Sequence, residues 1–525
     1  MRTHYADEPP SDRIFWALLL LSFFLLCAVR SNAQKTNAKL PSLNKIIEQN
    51  LKASGGKKNL AAITEADYEW SVELNGEKVG TARLVRKFPA SERWEITVPD
   101  RQIILAANSS SAWQSKNEQI RTLTGREAAN AKLRAALDSS RMVNYKKANI
   151  LGRVVAVAGP NYVVDFSTRG GACLQYHFSV DKWLITKIFN ETNGSYVALA
   201  DYRVENGISE PHRIRFYLDS ANDFTLTLQR VKYNSGLAQS LFDPPSATEV
   251  LDIASLLRQV GKNQDDVEKR VAEYSYRQKE TDREISDKGQ LKKETVKLYE
   301  VYPLPNREAV QKLISENGVP LNAERAAKED KRVEQELLDA ERDREKDEEA
   351  AAKRKAERQK KNRAAGRDED EDPEISQFLR VCEFVSPRKE RLDDRETIVF
   401  DFRPRAGFKP SSRADSLIAK LIGVVWIDPV DKQVVRLEAR LAEGFKMGGG
   451  LLVSLKPGAA MVMEQTRMAD GVWLPKFAQF NLSVKVLLFA GGDYNKTIEW
   501  SDYKHFSGDV KDYKLDAPKA DEKKP

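Results

Sequence analysis

A chain of 525 residues is long enough for two or three domains with separate cores, and its formal charge of +7 is a small excess of 85 Lys and Arg over 78 Asp and Glu. The acids and bases are interleaved, which excludes the basic stripe with alternating aromatics that nucleic acid requires. Three cysteines exclude a disulfide scaffold, and four scattered histidines with no His-x-x-x-His or Cys-x-x-Cys pair exclude a built metal site, so no cofactor is expected.

The chain opens with Arg2 and Arg13 ahead of an apolar run over 14–29, followed by Ser31 and Ala33. That pattern predicts a signal peptide over 1–33, cleaved after Ala33, and a periplasmic or secreted bacterial protein. The acids Asp7, Glu8 and Asp12 leave open an uncleaved helix in the inner membrane, although the run is shorter than the roughly 20 residues of a spanning helix. Leu26 stands before Cys27 where a lipid-anchor signal carries a small residue, so no lipid anchor is expected. Cys173 and Cys382 then remain as lone thiols, one per domain.

A first domain is expected over 34–250. Ile46, Ile47 and Leu51 recur at helical spacing, and Gly55 with Gly56 supplies a left-handed stop. Strands follow over 68–74, 81–87, 93–98, 102–107 and 111–115, the first two joined by the hairpin turn Asn75-Gly76. Leu133 and Leu137 mark a helix over 126–137. The meander resumes over 153–157 and 162–166, then 173–178, 183–189, 195–204 and 212–218.

A helix over 250–258 and a polar linker at 261–266 make 251–273 a connector. A second domain opens with a hairpin from Tyr274 over 274–321 and resumes over 373–516, leaving 517–525 as a disordered tail. Between its parts, 322–372 is almost wholly charged or Ala, with opposite charges at helical spacing, which predicts a long solvated helix docked only by Val333, Leu337 and Leu338. Its functional reading is a partner-docking arm or mobile lid; a solvated face is the plainer one. In the second domain Val435, Leu437, Ala439 and Leu441 alternate with Val434, Arg436, Glu438 and Arg440, and Phe480, Leu482, Val484 and Val486 alternate with polar Asn481, Ser483 and Lys485. A period of two puts each apolar set on one face of an antiparallel strand.

The two domains echo each other. Asp181-Lys182 and Asp431-Lys432 each start a strand, Asn206-Gly207 and Asp470-Gly471 each start a later one, and Pro211 and Pro475 follow the glycine by four residues. With the opening Leu51-Lys-Ala-Ser-Gly-Gly-Lys-Lys-Asn-Leu60, this pattern resembles the periplasmic lipoprotein-carrier superfamily, the LolA/LolB-like fold. The resemblance covers both copies and leaves the charged segment outside. It implies an α+β class: two antiparallel β-sheets curved into open half-barrels, each with helices at the mouth or end, plus the long charged helix. It also implies that the greasy interior takes lipid or lipoprotein acyl chains. A helix such as 126–137 would then lie across the mouth.

No sequence feature carries catalysis. There is no phosphate-cradling loop and no nucleophile elbow, and Ser42 with Lys45 and Ser501 with Lys504 match Ser-x-x-Lys by letters alone. Asp428 and Asp431 flank a Pro-Val turn, where Asp serves the backbone. What remains is apolar surface, with Met461, Met463 and Met468 an adaptable lining before Trp473 and Phe477. The expected ligand-binding set is Leu437, Leu441, Met461, Met463, Phe480, Leu482, Val484 and Trp500, all in the second domain. The protein is expected to carry or sense an acylated ligand and not to be an enzyme. Peripheral membrane contact fits that reading. An alternative is a module binding an envelope protein partner, as in the superfamily's anti-sigma-binding stress regulators.

Overall fold

The computed structural model describes residues 40–99, 101–137, 150–168, 171–217, 223–246, 252–271, 273–286, 291–304, 309–364, 373–447, 453–486 and 489–505. The expected signal peptide 1–33 and tail 517–525 lie outside the described residues.

Helix α1 (Leu43–Ala53) starts where the Ser42 hydroxyl accepts from Lys45 N–H, and stops where Gly56 N–H donates to Leu51 O at 2.8 Å. Gly55, at φ +126°, is required twice over, since a Cβ there would sit 2.5 Å from Gly207 O. After α2 (Lys57–Ala62) come β1 (Glu65–Leu74), β2 (Glu77–Lys87), β3 (Ser91–Val98), β4 (Arg101–Ala107), β5 (Ala112–Lys116) and β6 (Gln119–Thr122). Helix α3 (Gly125–Ala136) precedes β7 (Leu151–Ala158), β8 (Asn161–Ser167), β9 (Cys173–Ser179), β10 (Ile185–Phe189), β11 (Tyr196–Glu205), β12 (Ile208–Tyr217) and β13 (Asp223–Tyr233).

The second unit begins with α4 (Ile253–Val271), which runs through the segment 261–266 expected to be a linker. Its amphipathic start explains the difference: Ile253, Leu256, Leu257 and Val260 have an apolar cluster to bury against, so the helix propagates past Gly261. Then follow β14 (Tyr274–Ile285), β15 (Leu291–Tyr302), β16 (Val310–Glu316), β17 (Val319–Pro320), α5 (Ala323–Ala364), α6 (Pro373–Val381), β18 (Cys382–Leu392) and β19 (Arg395–Pro404). Helix α7 (Arg413–Ile418) leads to β20 (Leu421–Asp428), β21 (Gln433–Leu441), β22 (Phe445–Met447), β23 (Val453–Leu455), β24 (Ala460–Arg467), β25 (Trp473–Val486) and β26 (Phe489–His505).

Among the described residues each unit is one 13-stranded sheet whose ends do not pair, so neither closes into a barrel. The first runs β6-β5-β4-β3-β2-β1-β13-β12-β11-β10-β9-β8-β7, and the second runs β17-β16-β15-β14-β26-β25-β24-β21-β20-β19-β18 with β22 and β23 beside β25. In both, the unit's first strand pairs with its last, β1 with β13 and β14 with β26. The repeated turns fall at matching places, before β10 and β21 and before β12 and β25. Helices α1 and α4 stand before these first strands, and α3 stands where the second unit has α5 and α6.

Among the described residues α5 is docked through its start. Val333 and Leu337 pack with Val310 against Tyr302 and Leu304, whereas Leu338, expected to dock too, is 51% exposed because it points off that face. Gly423 on β20 is closely packed: a Cβ there would lie 2.0 Å from Glu438 O and 2.6 Å from the Phe402 ring. Gly423→Ala is expected to cost about 1–3 kcal/mol or more in urea unfolding, because backbone on one side leaves no room to yield.

The two units meet at the sheet edges formed by β6 and β18. Arg388, 1% exposed, holds Glu390 at 2.6 Å and Asp401 at 3.1 Å, and donates to Thr122 Oγ1 at 2.6 Å. Glu390 accepts from Thr122 N–H at 2.7 Å, and Ser111 Oγ donates to Asp401 at 2.6 Å. Side chains of one sheet therefore satisfy edge groups of the other, which blunts two edges at once.

Candidate functional site: a cavity under the first sheet

The first sheet is built from rows of alternating side chains. Tyr68, Leu84, Trp94 and Leu105 are direct neighbours across β1 to β4, and Trp70, Ala82, Ile96 and Ile103 form the next row on the same face. A sheet of this many strands curls, and α3 packs on β3, β4 and β5 of one limb and on β9 of the other. Between the limbs lies a cavity of about 200 Å³. Tyr68, Trp70, Leu84, Trp94, Ile96 and Leu105 line one wall; Leu174, Tyr176, Ile185, Ile188, Leu199, Ile214 and Phe216 line the other.

Polar groups gather where α3 meets the strands. Glu92, 1% exposed, is held by Arg86 from β2 at 2.7 Å and by Arg134 from α3 at 2.7 Å, and both arginines line the cavity. At the other limb, buried Asn130 donates to Asn190 and Thr192 at 3.0 Å and accepts from Cys173 N–H at 2.9 Å, while Tyr176 OH donates to Leu137 O at 3.1 Å. The helix is thus fastened on both sides. Glu210 on β12 also lines the cavity and accepts from Tyr68 OH at 2.9 Å and Tyr233 OH at 2.7 Å.

The outer side of α3 reaches the junction. Lys132 Nζ donates to Ser110 O at 2.7 Å, and the neighbouring Ser109 O accepts from Arg440 of the second unit. Burial first, and Arg440 next, push the Lys132 ammonium down to about 8, against weaker support from Glu438 and Asp401. Because the unfolded chain binds this proton more tightly, stability is expected to rise with pH from about 8 towards 10.5. Thermal unfolding of wild type against Lys132→Met checks this, since the variant loses that part of the slope. Burial pushes the two described thiols up, Cys173 to about 11 and Cys382 to about 12, which disfavours the thiolate. Among the described residues no group of three His, Cys, Asp or Glu is placed to hold a metal. Asp428 does serve its turn, accepting from Val430 and Asp431 N–H at 2.9 and 2.8 Å.

None of the eight side chains singled out from the sequence lines this cavity; they lie on the second sheet. The register nevertheless brings several together: Leu437 faces Met463, and Met461 faces Phe480. Leu441 is buried, Leu482 is 37% exposed, and Trp500 donates to Gln278 at 3.0 Å. Val484 pairs with Gly492 through its backbone, and its side chain is outside the described residues. The hollow beside this stripe is filled by the chain itself, with α4, Val381 and Phe378 of α6, and Ile418 of α7 packed on Phe400, Phe402, Val425 and Ile427. The signal for the first sheet was present in the alternation of Tyr68, Trp70 and Val72 with Asp67, Glu69 and Ser71. Which of two similar sheets keeps a hollow depends on how its helices seat.

No protein-family model matches the chain, and no curated protein matches it in sequence. The chain resembles a LolA superfamily protein. That protein, from Nitrosomonas europaea, is 13% identical with a TM-score of 0.28, the match covering 39% of this chain and 98% of that one. A DUF1329 family protein from Desulfovibrio piger matches at 11% identity and a TM-score of 0.27, over 39% of this chain and 98% of its own. The complex of MucA and MucB from Pseudomonas aeruginosa matches at 9% identity and a TM-score of 0.14, over 88% of this chain and 99% of that one. The architecture itself rests on the strand order and register. No helix among the described residues is long and apolar enough to cross a membrane.

Proposed function

We propose that this is an exported, non-catalytic protein of the bacterial periplasm that holds or senses a lipid or acyl chain in the cavity under its first sheet. The observation that carries the reading is the apolar hollow between two limbs of one sheet, roofed by a helix fastened to both. At ~0.8 kcal/mol per CH₂, burial of a chain of several methylenes contributes several kcal/mol before ordering costs.

Native mass spectrometry of the mature chain after gentle extraction tests this. A co-purified lipid that organic solvent releases is the expected result. A lipid-free protein that takes up no added chain overturns it. A second reading rests on the half-buried stripe of Leu437, Met461, Met463 and Phe480 with exposed Leu482, which suits a protein partner. In that case pull-down recovers one envelope protein and the cavity stays without lipid.

A further inference from the structure

The geometry points to an anionic single-chain amphiphile as the ligand of the first-sheet cavity, its head at the paired guanidiniums of Arg86 and Arg134 and its chain along the rows of Tyr68 and Trp70. This rests on the lipid-binding reading and narrows it to one ligand class. The apolar rows end in the row that holds Arg86 and Glu92, neighbours across β2 and β3, and Arg134 reaches the same carboxylate from α3. Two cavity-lining cations thus share one buried acid. Planar guanidiniums suit a carboxylate or phosphate, which bind bidentately. Glu92 then acts as the internal anion that holds the cations in place and competes with the head for them. The acid that lines the cavity, Glu210 on β12, is held by the hydroxyls of Tyr68 on β1 and Tyr233 on β13. A neutral ester- or amide-linked chain gains nothing from this arrangement, so head charge separates a free acid or lysophospholipid from a lipoprotein anchor.

The test uses delipidated full-length mature protein and follows intrinsic tryptophan fluorescence, to which the cavity-lining Trp70 and Trp94 contribute, during titration with palmitate, hexadecanol, hexadecyltrimethylammonium and lysophosphatidic acid below their aggregation limits. Palmitate and lysophosphatidic acid are expected to bind at least ten-fold more tightly than hexadecanol, and the cationic amphiphile most weakly. Glu92→Gln is expected to tighten palmitate several-fold and leave hexadecanol unchanged, an outcome that a purely structural role for Glu92 does not produce. Arg134→Gln removes the preference for palmitate. Equal binding of palmitate and hexadecanol overturns the head-group assignment while the lipid-binding reading stands; absence of binding by all four probes overturns both. A Glu92→Gln variant that fails to fold leaves the wild-type comparison decisive.

Discussion

Arg388→Ala is expected to lower stability by about 3–5 kcal/mol, because it strands two buried carboxylates together. Glu390 and Asp401 are 6% and 2% exposed, and Arg388 is their shared cation. Glu390 keeps Thr122, and Asp401 keeps Ser111, but neutral donors replace little of a lost charge. Since these partners lie on the edge of the other sheet, the substitution also loosens the junction. Urea unfolding of wild type should show both units melting together, and the variant should show an earlier, split transition. A loss below about 1 kcal/mol with a single transition means that the junction is held by something else. Replacing Arg388, Glu390 and Asp401 together by apolar residues is expected to cost less than Arg388→Ala alone, since a buried ionic cluster is harmed most by losing one member.

Leu105→Trp is expected to weaken chain binding at least ten-fold, or by about 1.4 kcal/mol or more. Leu105 sits half-buried at the end of the row from Tyr68 through Leu84 and Trp94, and its side chain faces the cavity. An indole there takes the space a chain would use. Overpacking costs typically about 1–3 kcal/mol, less where a void accepts the added atoms, so the melting temperature should move little while bound lipid disappears. The matched change on the second sheet, Met463→Trp, separates the two apolar surfaces: it should leave lipid content unchanged and weaken only a protein partner. If Met463→Trp removes the lipid and Leu105→Trp does not, the ligand belongs to the second sheet.

The second prediction depends on a distinction that strand patterns do not make. Alternation names the face of each strand, and it did so in both units. The charge at Glu92 was equally visible, but its partners Arg86 and Arg134 are six and 42 residues away along the chain, and nothing local joins them. Leu338 was misplaced for a similar reason: a helix with few apolar residues offers several weak faces, and only the position of Val310 selects one.

By itself the sequence determined most of the antiparallel strands, though not β6, β13 or β16 to β19, together with the turns at Asn75-Gly76, Asn206-Gly207 and Asp428 to Asp431, the doubling of the architecture and the identity of the apolar faces. These follow from interactions within a few residues: side-chain period, left-handed φ at Asn and Gly, and carboxylate capping of backbone N–H groups. The tertiary structure alone decided that α4, α6 and α7 fill the second hollow while α1 and α3 leave one under the first. It also decided that Arg388 links two sheets and that Arg134 closes on Glu92. Each of these depends on distances between segments remote in sequence, set by how helices seat on a curved sheet, and a residue pattern carries no measure of that distance.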